Sequence, residues 1–267
     1  MKYSTFNPTP YETHMLVYER IAAGSDVLDV GCATGYFAKK LKEKSCKVWG
    51  IEADRESAEM AKKYCREVFV ADLEKISIAS TIRGVPSTSF GTGMASQVQP
   101  ATSEVSFLSL PLKKKFDYIL LLDVIEHIKN PEKVISLLKP LLKKGGKMII
   151  STPNIAFISI RLALFFGRFE YQKMGIMDEN HIRFYTKKTF LQLIKECGLK
   201  IEEFVTASGF SQISKIGKYL NRIPKYWQYK ITKIFDKLLG YQFIAICTPS
   251  PRGSPSGHPR GVFEALL

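Results

Sequence analysis

Short apolar runs alternate along this chain with stretches whose apolar residues recur every three or four positions. VLDV at 27–30, KVWGIE at 47–52 and EVFVAD at 67–72 have the length and β-branched content of buried strands. Residues 36–44 and 55–65, which separate them, have helical spacing. The pattern resumes with FDYILLLDV at 116–124, a helix opening at Pro131 and running to the Gly145-Gly146 pair, and KMIIST at 147–152. Proline at a helix start and glycine past its end mark such boundaries. A further helix over 187–197 is stopped by Gly198, and GLKIEEF and YQFIAICT supply two last strands. Strands alternating with helices predict an α/β fold: a seven-stranded, mostly parallel, Rossmann-like sheet with helices on both faces and right-handed crossovers.

Two stretches break the alternation. Residues 78–111 are rich in Ser, Thr, Gly and Pro, which predicts a long insertion. Residues 249–267 have the same character and are expected to form a tail outside the core. One domain over 1–248 is thus expected, carrying this insertion and a helical cap from 155–185 and 211–240. At 267 residues and 45% hydrophobic, the chain is long enough to bury one substantial core.

Charge adds a further expectation. The excess of Lys and Arg gives a net +14, enough to attract phosphates, nucleic acid or an anionic membrane surface. Seven of these bases lie in 211–240 against a single Asp, among apolar residues at near-helical spacing. Such a stretch is either a lid packed on the core or a membrane-surface element. No apolar run of about 18 residues occurs and the N-terminus lacks the pattern of a secretion signal, so the expected place is the cytoplasm or the inner face of the membrane. Five cysteines without a C-x-x-C pair suggest neither a disulfide framework nor a zinc site, and no metal is expected.

The stretch VLDVGCATGYFAKKL at 27–41 carries the chemistry. A strand ends, turns sharply and starts a helix, and Gly31 and Gly35 supply the missing side chains that close ligand approach demands. The helix N-terminus then faces whatever sits over the loop. A G-x-G-x-x-G dinucleotide fingerprint is absent, and the carboxylate of Asp29 would repel a pyrophosphate but welcome an amine. Glu52 ends the second strand 21 residues beyond Gly31, where an acid can accept from both hydroxyls of a ribose.

DVGCATG closely resembles the D-x-G-x-G-x-G loop of class I S-adenosylmethionine-dependent methyltransferases, with Ala33 in place of the middle glycine. The block from Phe116 to Asn154 resembles the fourth strand, following helix and fifth strand of the same family, and 157–190 resembles its ubiquinone-biosynthesis and glycan-cluster branch. The resemblance covers 20–76 and 112–248. It implies S-adenosylmethionine as cofactor, held by Asp29, Gly31, Cys32, Ala33, Gly35, Glu52, Asp72, Leu73 and Asp123. Asp72 resembles the acid facing the adenine amino group, and Asp123 is expected near the methionine end.

His127 follows Asp123 in D-V-I-E-H, one helical turn on, and His181, Arg183 and Tyr185 alternate in H-I-R-F-Y. His181 and His127 are the candidate catalytic bases and Arg183 and Tyr185 the candidate substrate contacts; each also has a plain structural role open to it, in packing or in tying the loop down. The expected reaction methylates a small molecule, a sugar or polyprenyl-linked hydroxyl. The alternatives are RNA or protein methylation, for which no nucleic-acid-binding module is visible, or a silent cofactor-binding subunit.

Overall fold

The structure is a computed structural model that describes residues 5–75, 114–210, 213 and 222–250. The expected insertion at 78–111, most of 211–221 and the tail beyond 250 lie outside the described residues. Seven strands form one sheet: β1 (Asp26–Val30), β2 (Lys47–Glu52), β3 (Glu67–Val70), β4 (Phe116–Leu122), β5 (Leu142–Pro153), β6 (Leu199–Ser208) and β7 (Gly240–Pro249). Their order is β3-β2-β1-β4-β5-β7-β6, and β7 alone runs antiparallel to its neighbours. The chain winds outward from β1 to β3, then crosses to β4 on the other side. The crevice at the carboxyl ends of β1 and β4 is therefore the switch point where ligands of such sheets bind.

Both faces of the sheet are covered. On one, α4 (Pro131–Leu138) and α6 (Lys187–Glu196) bury Ile135, Leu138, Phe190 and Ile194 against Ile119, Leu121 and Phe243. On the other, α1 (Thr13–Arg20) and α2 (Tyr36–Leu41) bury Leu16, Val17, Phe37 and Leu41 against Val27, Leu120 and Ile149. α3 (Arg55–Ala61) follows β2, capped by the Asp54 carboxylate, which accepts from the Ser57 amide at 2.8 Å. α5 (Ile158–Phe165) and α7 (Lys225–Ile234) lie in the two segments expected to form the cap.

Two readings of the sequence need correction. The helix opened by Pro131 ends at Leu138, because Pro140 cannot extend its hydrogen-bond ladder, and β5 begins at Leu142. Gly145 and Gly146 lie inside that strand, where the pairing with β4 slips between Phe116 and Tyr118. A Cβ on Gly146 would come within 2.9 Å of the Phe116 carbonyl oxygen, so the glycines make a bulge rather than a stop. α7 also defies its apolar spacing: it buries Gln228 and Thr232 and leaves Tyr226, Trp227 and Ile234 exposed. No helix among the described residues is long and apolar enough to cross a membrane.

Candidate active site

The turn after β1 is shaped by glycine. Gly31 and Gly35 have φ of +75° and +74°, and a Cβ on Gly35 would stand 2.9 Å from the Ala61 Cα of α3. Ala33, also left-handed at φ +47°, donates its amide to Glu52 at 2.8 Å. Gly31 and Cys32 donate theirs to the Ile51 carbonyl at 2.8 and 3.1 Å, so β2 fixes the loop. Cys32 points inward, over Gly50, whose missing Cβ would meet Cys32 Sγ at 2.5 Å.

A cleft of about 750 Å³ opens over this loop at the carboxyl edge of the sheet, within the range of small-molecule sites. Gly31, Ala33, Glu52, Asp72, Leu73 and Asp123 line it, as do His127 and His181. Asp29, Cys32 and Gly35 lie beneath the lining. Among the described residues no Lys or Arg lines the cleft, although the whole chain carries +14. Asp29 is buried, and burial together with the nearby Glu52 raises its pKa to about 7. An acidic, lysine-free cleft of this kind suits a cationic ligand.

Asp123 is held in a strained conformation, φ +56°, at the end of β4. Its amide donates to Ser151 Oγ at 3.1 Å, and the Ser151 hydroxyl donates back to Oδ1 at 2.9 Å. Gln242 Nε2 donates to both carboxylate oxygens at 2.8 Å, which the reversed direction of β7 makes possible. Gln242 also bonds Thr13 of α1, so one amide couples the N-terminal helix to the cofactor rim. His14 closes the same side. It accepts from the Asn7 amide at 2.8 Å through Nδ1, approaches the Tyr36 hydroxyl at 3.4 Å through Nε2, and its pKa is lowered by burial.

The far wall carries the candidate bases. His181 is buried and its Nδ1–H donates to the Ile176 carbonyl at 2.9 Å, which leaves Nε2 as the acceptor in the neutral ring. Burial lowers its pKa below the ordinary histidine value of 6.5. His127 is oriented alike by the Asn180 carbonyl at 3.0 Å, and the two rings meet edge to face at 4.7 Å. Glu126 completes a cluster in which one ligand atom from each residue lies within 4.8 Å of the others. Its carboxyl oxygens are buried without a partner among the described residues, and burial pushes its pKa well above the usual carboxylate range. This trio has the donor chemistry to share a proton or to hold a divalent cation.

Arg183 and Tyr185, expected beside His181, do not reach the cleft. The Arg183 guanidinium donates to the Lys129 carbonyl at 3.0 Å, and Tyr185 packs into the core against Phe190. Strict alternation fails because 182–184 are not part of a strand; Ile182 and Arg183 instead both donate their amides to the Glu126 carbonyl, at 3.0 Å.

Residues 12–203 match the model of a methyltransferase-domain family, which is most of the chain. The chain belongs to that family. It is a class I S-adenosylmethionine-dependent methyltransferase, and S-adenosylmethionine is its cofactor. A ubiquinone biosynthesis O-methyltransferase of Dechloromonas aromatica is 25% identical over 70% of this chain and 69% of its own length. The fold is shared with solved S-adenosylmethionine-dependent methyltransferases. One from Methanosarcina mazei superposes with a TM-score of 0.54 at 13% identity, covering 90% of this chain and all of its own. Another, from Thermotoga maritima, gives 0.53 at 19% identity, covering 89% and 88%. The residues present fit the cofactor: the glycine cradle admits close approach of a ligand, and the cleft's acids complement an ammonium and a sulfonium.

The sequence reading missed His14, Glu126 and Gln242. Glu126 stood beside His127 in the quoted motif, and its apolar neighbours could have flagged a buried acid. Gln242 gave no local signal, because its partner is 119 residues away.

Proposed function

We propose that this methyltransferase acts on a hydroxyl of a small molecule, a sugar or polyprenyl-linked intermediate, with His181 as general base. The observation that carries the reading is the fixed tautomer of His181, whose Nδ1–H is committed to the Ile176 carbonyl while the residue lines the cleft and burial lowers its pKa. Glu52 takes the ribose hydroxyls, Asp72 and Leu73 the adenine side, and Asp29 and Asp123 the methionine end. Bound S-adenosylmethionine supplies an electrophilic methyl group on a positively charged sulfur. His181 Nε2 takes the proton of the acceptor hydroxyl as its oxygen attacks the methyl carbon, and because the displaced group would be a neutral thioether, no residue of the chain is needed as its acid. His127 stands in contact with His181 and orients it. Arg183 holds the 181–185 segment in place by its bond to Lys129 rather than touching substrate.

RNA methylation is the weaker reading, since no Lys or Arg among the described residues lines the cleft to meet a phosphate. The enzyme is cytoplasmic in this reading, and the exposed, basic α7 face touches an anionic membrane surface peripherally.

The test is turnover of His181→Ala with a panel of hydroxyl acceptors, expected to fall about 100-fold with S-adenosylhomocysteine affinity unchanged. Wild-type turnover should also survive treatment with a chelator. Near-normal turnover in the variant removes His181 from catalysis. Loss of wild-type turnover with chelator, restored by a divalent metal, assigns the Glu126–His127–His181 trio to a cation instead.

A further inference from the structure

Cys32 and Cys65 meet over the middle of β2. Cys32 follows β1 in the cofactor loop, and Cys65 stands between α3 and β3, its amide donating to the Ala61 carbonyl at 2.9 Å. Beneath both lies Gly50, which carries no side chain. A Cβ there would stand 2.5 Å from Cys32 Sγ and 3.5 Å from Cys65 Sγ, so the two sulfurs share the space that any larger residue would fill. The thiols hydrogen-bond to each other, and this contact, together with burial, raises the pKa of Cys32. Cys32 is buried, whereas Cys65 is half-buried and in part open to solvent.

The backbone of Cys32 belongs to the cofactor cradle. Its amide donates to the Ile51 carbonyl at 3.1 Å, its carbonyl accepts from the Gly35 amide at 2.9 Å, and the next amide, that of Ala33, donates to Glu52 at 2.8 Å. Gly35 in turn packs closely on Ala61 of α3. A displacement of the Cys32 sulfur therefore reaches both the glycine turn and the acid at the end of β2.

We propose that Cys32 and Cys65 form a reversible disulfide that lowers cofactor affinity. Glutathione disulfide is the oxidant. The Cys65 sulfur, as thiolate, attacks it to give a mixed disulfide and releases one glutathione; the Cys32 sulfur, as thiolate, then attacks Cys65 Sγ and displaces the second. Two electrons pass from the cysteines to glutathione, and the two protons that the cysteines lose end on the two glutathione thiols. The second step is slow, because Cys32 is held protonated, but two sulfurs already in contact favour the intramolecular product at equilibrium. An S–S bond of about 2.05 Å draws the sulfurs closer than two thiols in contact stand, and the loop must follow. In a reducing compartment the pair stays as thiols until oxidant accumulates, which is the behaviour of a sensing cystine rather than a structural one. No acceptor-side residue takes part, so this pairing can fail while the reading of His181 stands.

The test is equilibration of the full-length protein with excess glutathione disulfide, followed by intact-protein mass, peptide mapping and calorimetric titration of S-adenosylhomocysteine. The expected product has lost a pair of hydrogens, carries no glutathione and links the Cys32 peptide to the Cys65 peptide. Its affinity for S-adenosylhomocysteine should be at least about tenfold lower than that of the reduced protein, and dithiothreitol should restore it. By reciprocity, saturating S-adenosylhomocysteine should raise by the same factor the ratio of glutathione disulfide to squared glutathione needed for half-oxidation. Cys65→Ser and Cys65→Ala should bind as tightly as the reduced wild type and lose the sensitivity to oxidant, whereas Cys46→Ser should keep it. The proposal is overturned if no link forms at equilibrium, if the link joins another pair, or if the linked protein binds S-adenosylhomocysteine as tightly as the reduced one. Loss of affinity in the oxidant-treated Cys65 variants would equally overturn it, because the damage would then arise elsewhere.

Discussion

Asp29 sits at a carboxylate's least comfortable position, buried beside another acid, and its raised pKa has consequences in two directions. Its unfolded value is near 3.9 and its folded value about 7, so between these pH values the folded protein holds a proton that the unfolded chain has released. Stability of the ligand-free enzyme should therefore fall as pH rises from about 4 to about 7, by up to about 4 kcal/mol, and level off above. Asp29→Asn should abolish that slope in urea unfolding; an unchanged slope removes the assignment. A ligand ammonium reverses the preference by favouring the charged carboxylate. S-adenosylhomocysteine affinity should accordingly rise with pH over the same window and lose the dependence in Asp29→Asn. His181 makes the complementary prediction on rate. Its folded pKa lies below 6.5, so a turnover profile should climb on a limb below that pH and flatten above it, and His181→Ala should erase the limb. A limb that persists in the variant belongs to another group.

At the level of elements, the turn between β1 and α2 depends on a backbone that only glycine adopts cheaply. Gly35→Ala adds a Cβ at 2.9 Å from the Ala61 Cα while holding φ at +74°. Unfolding in urea should show a loss of about 1 to 3 kcal/mol, and an unaltered midpoint would mean that α3 yields freely. This loop was legible in the sequence because its constraints are local: strand, glycine, glycine, helix, with an acid at the end of the next strand. The seven strands and the helices between them followed from the same alternation. What stayed hidden is what depends on distant partners. Gln242 reaches Asp123 only because β7 is inserted antiparallel between β5 and β6, and Gly145-Gly146 reads as punctuation until the bulge opposite Phe116 is seen. The apolar spacing of α7 and the alternation of H-I-R-F-Y misled for one reason: periodicity states which residues share a face, and the neighbouring elements decide whether that face is inside.

Across the whole molecule, charge is segregated: a strongly basic chain surrounds a cleft lined by acids and by no Lys or Arg among the described residues. The site therefore selects for a cation, whatever the outer surface attracts. Saturating S-adenosylhomocysteine, which retains the ammonium, should raise the melting temperature by mass action on the folded state. The most direct measurement of the account is calorimetric titration of S-adenosylhomocysteine into the wild type and Glu52→Ala. The account predicts one site per chain in the wild type and weakening by about 1 to 3 kcal/mol, roughly 5- to 150-fold, in the variant, as two ribose hydroxyls lose their acceptor. Equal dissociation constants in the two proteins, or no heat of binding in the wild type, would contradict it.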